Sequence, residues 1–477
     1  MNAATRSVAL VGGEARPVEV QVHVGSQKEA FRLSGLPDTA VREAKDRVRA
    51  AINSTGLRFP NRFVTVNLAP ADLPKAGTDF DLPIALGVLA ASGVLTPQTE
   101  GIAVGELALD GRVRPASGSI GAAVLSARTG VPCLVSRAVA ARVAVVPGAR
   151  VYGVDTLAEA VSFLRNGPIA TTPADPDEEP VELDTPDIAE VQGQPLARRA
   201  MEIAAAGGHH VLLYGPPGGG KTMLARRFPG ILPRLDERSA VEVAMIHAAA
   251  GLDRAMVRVP PFRSPHHTAS RAALVGGGSG LPVPGEVSLA HRGVLFLDEL
   301  AEFPRNHLDT LRQPLEDGFV TIARKGISVR FPSRFHLIAA TNPCPCGYHD
   351  DRRKPCVCRP SEVARYRQRV SGPLLDRIDL VVKVGRVETL NLGASVEEPS
   401  AVVRKRVEEA IRFGTEVEGA FERASERMIT SALEQGLITA RGATRTARLA
   451  RTIASLAASE TVGEDHVAEA MAFRSPW

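Results

Sequence analysis

Short, mostly apolar runs alternate with longer amphipathic stretches along most of the chain. Residues 18–25 (VEVQVHVG) alternate apolar and polar positions, which predicts a strand with one buried face. Residues 37–56 (PDTAVREAKDRVRAAINSTG) carry a Pro near the start and a Gly at the end, the punctuation of a helix. Another strand follows at 63–70 (FVTVNLAP), then an apolar helix at 81–95 (DLPIALGVLAASGVL), and the alternation runs on to 156–167 (TLAEAVSFLRNG). Residues 171–187 (TTPADPDEEPVELDTPD) break the pattern. Rich in Pro, Asp and Glu and almost without large apolar side chains, they cannot bury a core and read as a linker.

Beyond the linker three runs are apolar nearly throughout: 209–215 (HHVLLYG), 293–300 (GVLFLDEL) and 335–342 (FHLIAATN). Strands without alternation belong to a parallel sheet covered on both faces. From 386 onward the periodicity is helical, most clearly at 401–413 and 443–460. The expected architecture is therefore multidomain α/β. An α/β unit spans 1–168, a linker 169–186, a parallel-sheet core 187–385 and a helical unit 386–477.

The first and second apolar runs end in chemistry. GPPGGGKT, Gly215 to Thr222, fits the phosphate-binding pattern G-x-x-x-x-G-K-[ST] and lies between a strand and a helix, as that pattern requires. Gly215, Pro216, Pro217, Gly218, Gly219 and Gly220 would turn backbone N–H groups toward phosphate oxygens, and the helix opening at Lys221, Thr222 and Met223 adds partial positive charge. Lys221 would reach the β- and γ-phosphates of ATP, and Thr222 would ligate Mg²⁺. In GVLFLDEL, four apolar residues carry Asp298 and Glu299 to the end of a strand, where open α/β sheets bind ligands. Asp298 would complete the Mg²⁺ shell, and Glu299 would polarise the attacking water.

Composition changes the picture little. Charged residues make up 23% and aromatics 4%, so a nucleic-acid surface would rely on charge more than on stacking. A net charge of +4 permits a polyanionic partner without demanding one. No apolar run is long enough to span a bilayer, and the first residues lack a signal-peptide pattern, which points to the cytoplasm. Of five cysteines, four fall together: Cys344, Cys346, Cys356 and Cys358. Their C-x-C…C-x-C spacing suits a tetrahedral Zn²⁺ knuckle, with reduced free thiols as the alternative.

The strings DIAEVQGQ (187–194), PFRSPHHTAS (261–270), PGEVSLAHRGVLFLDEL (284–300), ATNPCPCG (340–347) and SGPLLDRIDL (371–380) resemble the ComM/YifB family, magnesium-chelatase-like AAA+ ATPases, and the similarity covers nearly the whole chain. The resemblance implies that Asn342 contacts the γ-phosphate and water, and that Arg377 is an arginine finger offered to a neighbouring subunit. It implies that Arg441 is a sensor arginine of the lid, with Arg445 as a competitor. Val191 and Gln194 would lie near the adenine. Finger and site on different subunits imply a ring, usually a hexamer.

Residues 314–335 read as a hairpin with Arg324 and Lys325 at its turn. In related AAA+ proteins such a hairpin faces the central pore, where basic side chains would grip single-stranded or branched DNA without reading sequence. The stretch between Pro261 and Pro284 resembles the insert of the same clade and carries Arg263, His266, His267 and Arg271. The two histidines are adjacent and diverge, which argues against a shared metal ion. Residues 77–127 resemble the Lon protease domain, but no serine stands in GTDFDLPI, and Ile120 occupies the place of the catalytic lysine. The fold is expected without peptidase chemistry. Three functions follow: a DNA-remodelling motor, a helicase or branch-migration translocase acting in natural transformation or recombination; a chelatase-type ATPase remodelling a protein partner; and, disfavoured, a protease.

Overall fold

A computed structural model describes residues 1–474 apart from 76, 167–184, 253–256, 279–280, 325–326, 350, 352, 387–396 and 418. The expected linker lies almost wholly outside the described residues, as does Lys325.

The first part is a seven-stranded mixed sheet in the order Ala30–Ser34, Phe63–Ala69, Glu14–Val24, Asn2–Val11, Gln98–Ala103, Cys133–Ser136, Val151–Val154. Asn2–Val11 and Glu14–Val24 form an antiparallel hairpin closed by Gly12 and Gly13 at φ +65° and +78°. Both central residues of such a two-residue turn sit in the left-handed region that glycine enters freely. Asn2–Val11 is a strand that the apolar pattern alone does not announce. Its buried face carries Thr5 and Ser7, whose hydroxyls donate to the carbonyls of Pro83 and Ala103 at 2.9 Å each. Polar side chains satisfied by backbone belong in a core yet blur the alternation that marks a strand. The helix Asp81–Ala91 is buried on every side beneath this sheet, as its apolar sequence requires.

The second sheet is fully parallel, in the order Phe262–Arg263, Val294–Leu297, His336–Thr341, Val211–Tyr214, Leu380–Lys383. Burial on both faces accounts for its nearly continuous apolar strands. A separate hairpin pairs Phe319–Arg324 with Ile327–Pro332. Among the described residues the C-terminal part holds four longer helices, Ser400–Glu416, Arg423–Glu434, Ala440–Leu456 and Glu464–Ala472. Leu449, Ile453 and Val407 from these helices share one core with Ile203 and Met201 of the helix Pro195–Gly207 and with strand residues Val211 and Leu213. The C-terminal helices and the sheet are therefore packed as one body. Among the described residues, no helix is long and apolar enough to cross a membrane.

Candidate nucleotide site

The strand Val211–Tyr214 delivers the chain into Gly215–Gly220 and then into the helix Lys221–Ile231. Three glycines are needed here for stated reasons. A Cβ on Gly215 would lie 2.0 Å from the Val384 carbonyl oxygen, while Gly218 and Gly220 hold φ of +78° and +91°. The Lys221 ammonium donates to the carbonyls of Gly215 at 2.7 Å and Pro216 at 3.0 Å, and to Asn342 Oδ1 at 3.3 Å. Burial lowers its pKa to about 8, against a partial counter-effect from the Asp298 charge.

Thr222 Oγ1 donates to Asp298 Oδ2 at 2.8 Å, so the two oxygens suited to a hard divalent cation meet at one point. Glu299 follows with φ +51° and ψ +47°, an uncommon conformation for a residue with a side chain. Its exposed carboxylate lies 3.3 Å from His267 Nδ1, which brings an insert side chain to the acidic pair. His266 turns instead to the Thr268 hydroxyl at 2.8 Å, and the two rings lie against each other with centroids 4.1 Å apart. Asn342 leaves the strand His336–Thr341 directly beside Lys221. Lys221, Thr222, Asp298 and Asn342 thus converge within hydrogen-bond reach from three parallel strands, with Glu299 next in the chain.

Gln194 sits beside this cluster at φ +58° and donates to the carbonyls of Gly219 at 3.3 Å and Gly385 at 2.6 Å. Val191 is buried nearby, and Met223 is partly exposed on the first turn of the phosphate-loop helix. Arg377 is elsewhere. It pairs with Glu316 and donates to the Pro373 carbonyl at 2.5 Å. Arg441 is exposed at the first turn of Ala440–Leu456 and forms no hydrogen bond or ion pair among the described residues. Arg445 of the same helix turns inward, to the Arg377 carbonyl and the Asp379 carboxylate at 2.7 Å each. Arg324 is exposed near the end of its strand, whereas Arg263 is held by both oxygens of Glu286 at 2.6 and 2.7 Å.

The four clustered cysteines come together with all sulfurs within 4.8 Å of one another. Cys344 Sγ lies 3.4 Å from Cys346 Sγ and 3.7 Å from Cys356 Sγ, and Cys346 and Cys356 are 3.6 Å apart. A tetrahedron with metal–sulfur bonds of about 2.3 Å has edges of about 3.8 Å. These separations are close to those edges and far from a disulfide bond of about 2.05 Å. The backbone N–H of Cys346 points at Cys358 Sγ, and that of His349 at Cys344 Sγ, at 3.4 and 3.3 Å. Donors of this kind stabilise thiolate ligands.

In the N-terminal sheet unit, Asp79 is buried. It accepts from the Ser117 hydroxyl at 3.2 Å and from the Gly118 N–H at 3.0 Å. Burial raises its pKa to about 6, and the hydrogen bonds hold it back from rising further. Ile120 is buried and brings no amine to this cleft.

The descriptions of three family profiles match in succession: "Subunit ChlI of Mg-chelatase" over residues 18–137, "Magnesium chelatase, subunit ChlI" over 187–392, and "Magnesium chelatase, subunit ChlI C-terminal" over 397–474. The chain is 40% identical to the protein YifB of Salmonella typhimurium and 40% identical to the competence protein ComM of Haemophilus influenzae. Each comparison covers 98% of this chain and 96% of the relative. A stretch covering 27% of the chain is 32% identical to 25% of Lon protease 2 of Bacillus subtilis.

Proposed function

This chain belongs to the magnesium-chelatase-like AAA+ family that contains YifB and ComM, and from that membership we propose that it is a ring-forming, ATP-hydrolysing motor that remodels DNA. The observation that carries the ATPase reading is the convergence of Lys221, Thr222, Asp298 and Asn342 within hydrogen-bond reach at the strand ends, with Glu299 adjoining. Thr222 and Asp298 would hold Mg²⁺, which shields phosphate charge when bound. Glu299 takes a proton from water as the water oxygen bonds to the γ-phosphorus, the bond to the β-phosphate oxygen breaks, and ADP leaves with that electron pair. Lys221 and Asn342 hold the γ-phosphate oxygens in line. Arg377 of an adjacent subunit would add positive charge to the transferring group in a hexameric ring. Val191 and Gln194 border the adenine.

The DNA reading is supported by the exposed Arg324 on a hairpin beside the core, by the net charge of +4, and by the relative named for competence. That relative is named for competence, and we extend the name here to transformation or recombination in the cytoplasm. Arg324 and Lys325 would grip backbone phosphates without sequence preference. The four cysteines would hold one structural Zn²⁺. We assign 1–168 to a Lon-like unit without peptidase chemistry, 169–186 to a linker, 187–385 to the ATPase core and 386–477 to the lid.

The decisive experiment measures steady-state ATP turnover with and without single-stranded and branched DNA. Glu299→Gln should abolish turnover by at least about 100-fold. Arg324→Ala/Lys325→Ala should keep the basal rate and lose the stimulation by DNA. Turnover indifferent to DNA, but still abolished by Glu299→Gln, would replace DNA with a protein client of the chelatase type.

A further inference from the structure

Arg377 and Asp379 are two residues apart in LLDRIDL, and the segment between them is tied to the lid. Asp379 is 1% exposed. One of its oxygens accepts from Arg445 at 2.7 Å, and the other accepts from the His210 N–H at 3.0 Å and lies 3.5 Å from His209 Nδ1. Burial alone would raise this carboxyl. The His209 contact and the positive charge of Arg445 instead hold it well below the usual carboxylate range. Burial also lowers the pKa of His209, which keeps that ring neutral near pH 7, so Arg445 is the charge partner.

The lid helix is fastened at two points. Arg445 bonds the Arg377 carbonyl and Asp379, and Thr452, seven residues on and therefore on the same face, meets His209 Nε2 at 2.8 Å. His209 and His210 lead directly into the strand Val211–Tyr214, which carries the phosphate loop. The start of the strand that carries the phosphate loop, the lid helix and the Arg377 segment are thus joined through one buried carboxylate. The Arg377 guanidinium itself is buried and held within its own subunit. It is 9% exposed and bound to Glu316 and the Pro373 carbonyl, and its Nε is buried without a hydrogen-bond partner among the described residues.

We infer that Arg445 is a positioning residue which, through Asp379, lets the lid of one subunit set the place of the arginine finger that the same subunit offers to its neighbour. This rests on the reading of Arg377 as a finger within a ring. Arg445 then does its work away from nucleotide. The clamp ties the Arg377 backbone to the lid helix, so a displacement of either is passed to the other. Removing the guanidinium leaves Asp379 buried and unpaired and frees the finger segment from the lid, so the loss is felt at the neighbour's site.

Mixed rings test this. Subunits carrying Glu299→Gln, silent at their own site, are added in fivefold excess to wild-type protein in three forms: alone, with Arg377→Ala, and with Arg445→Ala. Turnover is read per wild-type subunit, and binding of a fluorescent ATP analogue is read for each doped protein. About five in six wild-type sites then face a doped neighbour, so a missing finger lowers turnover about sixfold below the Glu299→Gln baseline. Arg445→Ala is expected to give a loss of comparable size while binding the analogue normally. If Arg377→Ala lowers turnover and Arg445→Ala does not, the clamp is overturned and the ring stands. If Arg377→Ala matches the baseline, the finger reading itself falls. Where Arg445→Ala subunits fail to bind the analogue, Thr452→Val replaces it. A loss beyond the baseline supports the clamp, and turnover at the baseline overturns it.

Discussion

Lys221 illustrates how a side chain tuned by burial reports its own ligand. Among backbone carbonyls and away from water, its ammonium is stripped of hydration, which lowers its pKa from 10.5 to about 8. The unfolded chain therefore holds more protons than the folded one between about pH 8 and 10.5. The stability penalty of the buried ammonium is full below pH 8 and is relieved as pH rises through that window. A nucleotide polyphosphate placed against Lys221 favours the charged form and raises the pKa again. Calorimetry at pH 8.5 in buffers of different ionisation heat should show ATP binding coupled to uptake of a large fraction of one proton. Uptake should vanish at pH 7 and in Lys221→Arg, and uptake unchanged by that substitution would assign the proton to another group. The phosphate loop was legible in the sequence because its determinants are contiguous. Asp79 was not, since its partners Ser117 and Gly118 lie 38 and 39 residues away and only the fold brings them to it.

Single elements show the same division between local and distant determinants. The C-x-C…C-x-C spacing was readable, and the four sulfurs do gather. Its consequence for the nucleotide site was not readable, because it depends on a contact across the fold. Gly347, at φ +85°, lies so close to the phosphate loop that an added Cβ would stand 2.7 Å from Pro217 Cδ. The cysteine loop therefore braces the phosphate loop from outside, while Asn342 at its root touches Lys221. Native mass spectrometry should find one zinc per chain, lost in Cys356→Ser. Gly347→Ala should keep the zinc, raise the KM for ATP several-fold through the displaced Pro217, and change kcat less. An unchanged KM would separate the cysteine loop from the nucleotide site. Between the two arginines at the head of Ala440–Leu456, helical periodicity could not choose a role. Arg445 is the one turned inward, and the acid that receives it is 66 residues distant.

At the scale of the whole molecule, the N-terminal sheet unit and the ATPase core share apolar surface that no local pattern foretold. Met245 and Ala244 on the helix Glu237–Ala249 belong to the same buried cluster as Val8, Ile120 and Val143 of the N-terminal unit. The Gly12–Gly13 turn presses on the core as well. A Cβ on Gly12 would lie 2.6 Å from the Arg330 carbonyl of the hairpin strand Ile327–Pro332, and one on Gly13 3.1 Å from Ile246. The N-terminal unit is thus seated against the hairpin proposed to hold DNA, and it shares a buried core with the helix Glu237–Ala249. Met245 is 3% exposed, so Met245→Asp would bury a charge in that seam at a cost of several kcal/mol unless the seam opens. Opening is the cheaper course, because each side keeps a larger core of its own. Calorimetry should then resolve the wild-type transition into two in Met245→Asp. Only the component containing the phosphate loop should rise in temperature when ATP analogue is added, as binding stabilises the part that holds the ligand. A single transition that still shifts as a whole would mean the two parts are coupled through other contacts, and the seam around Met245 would lose its place as the joint between them.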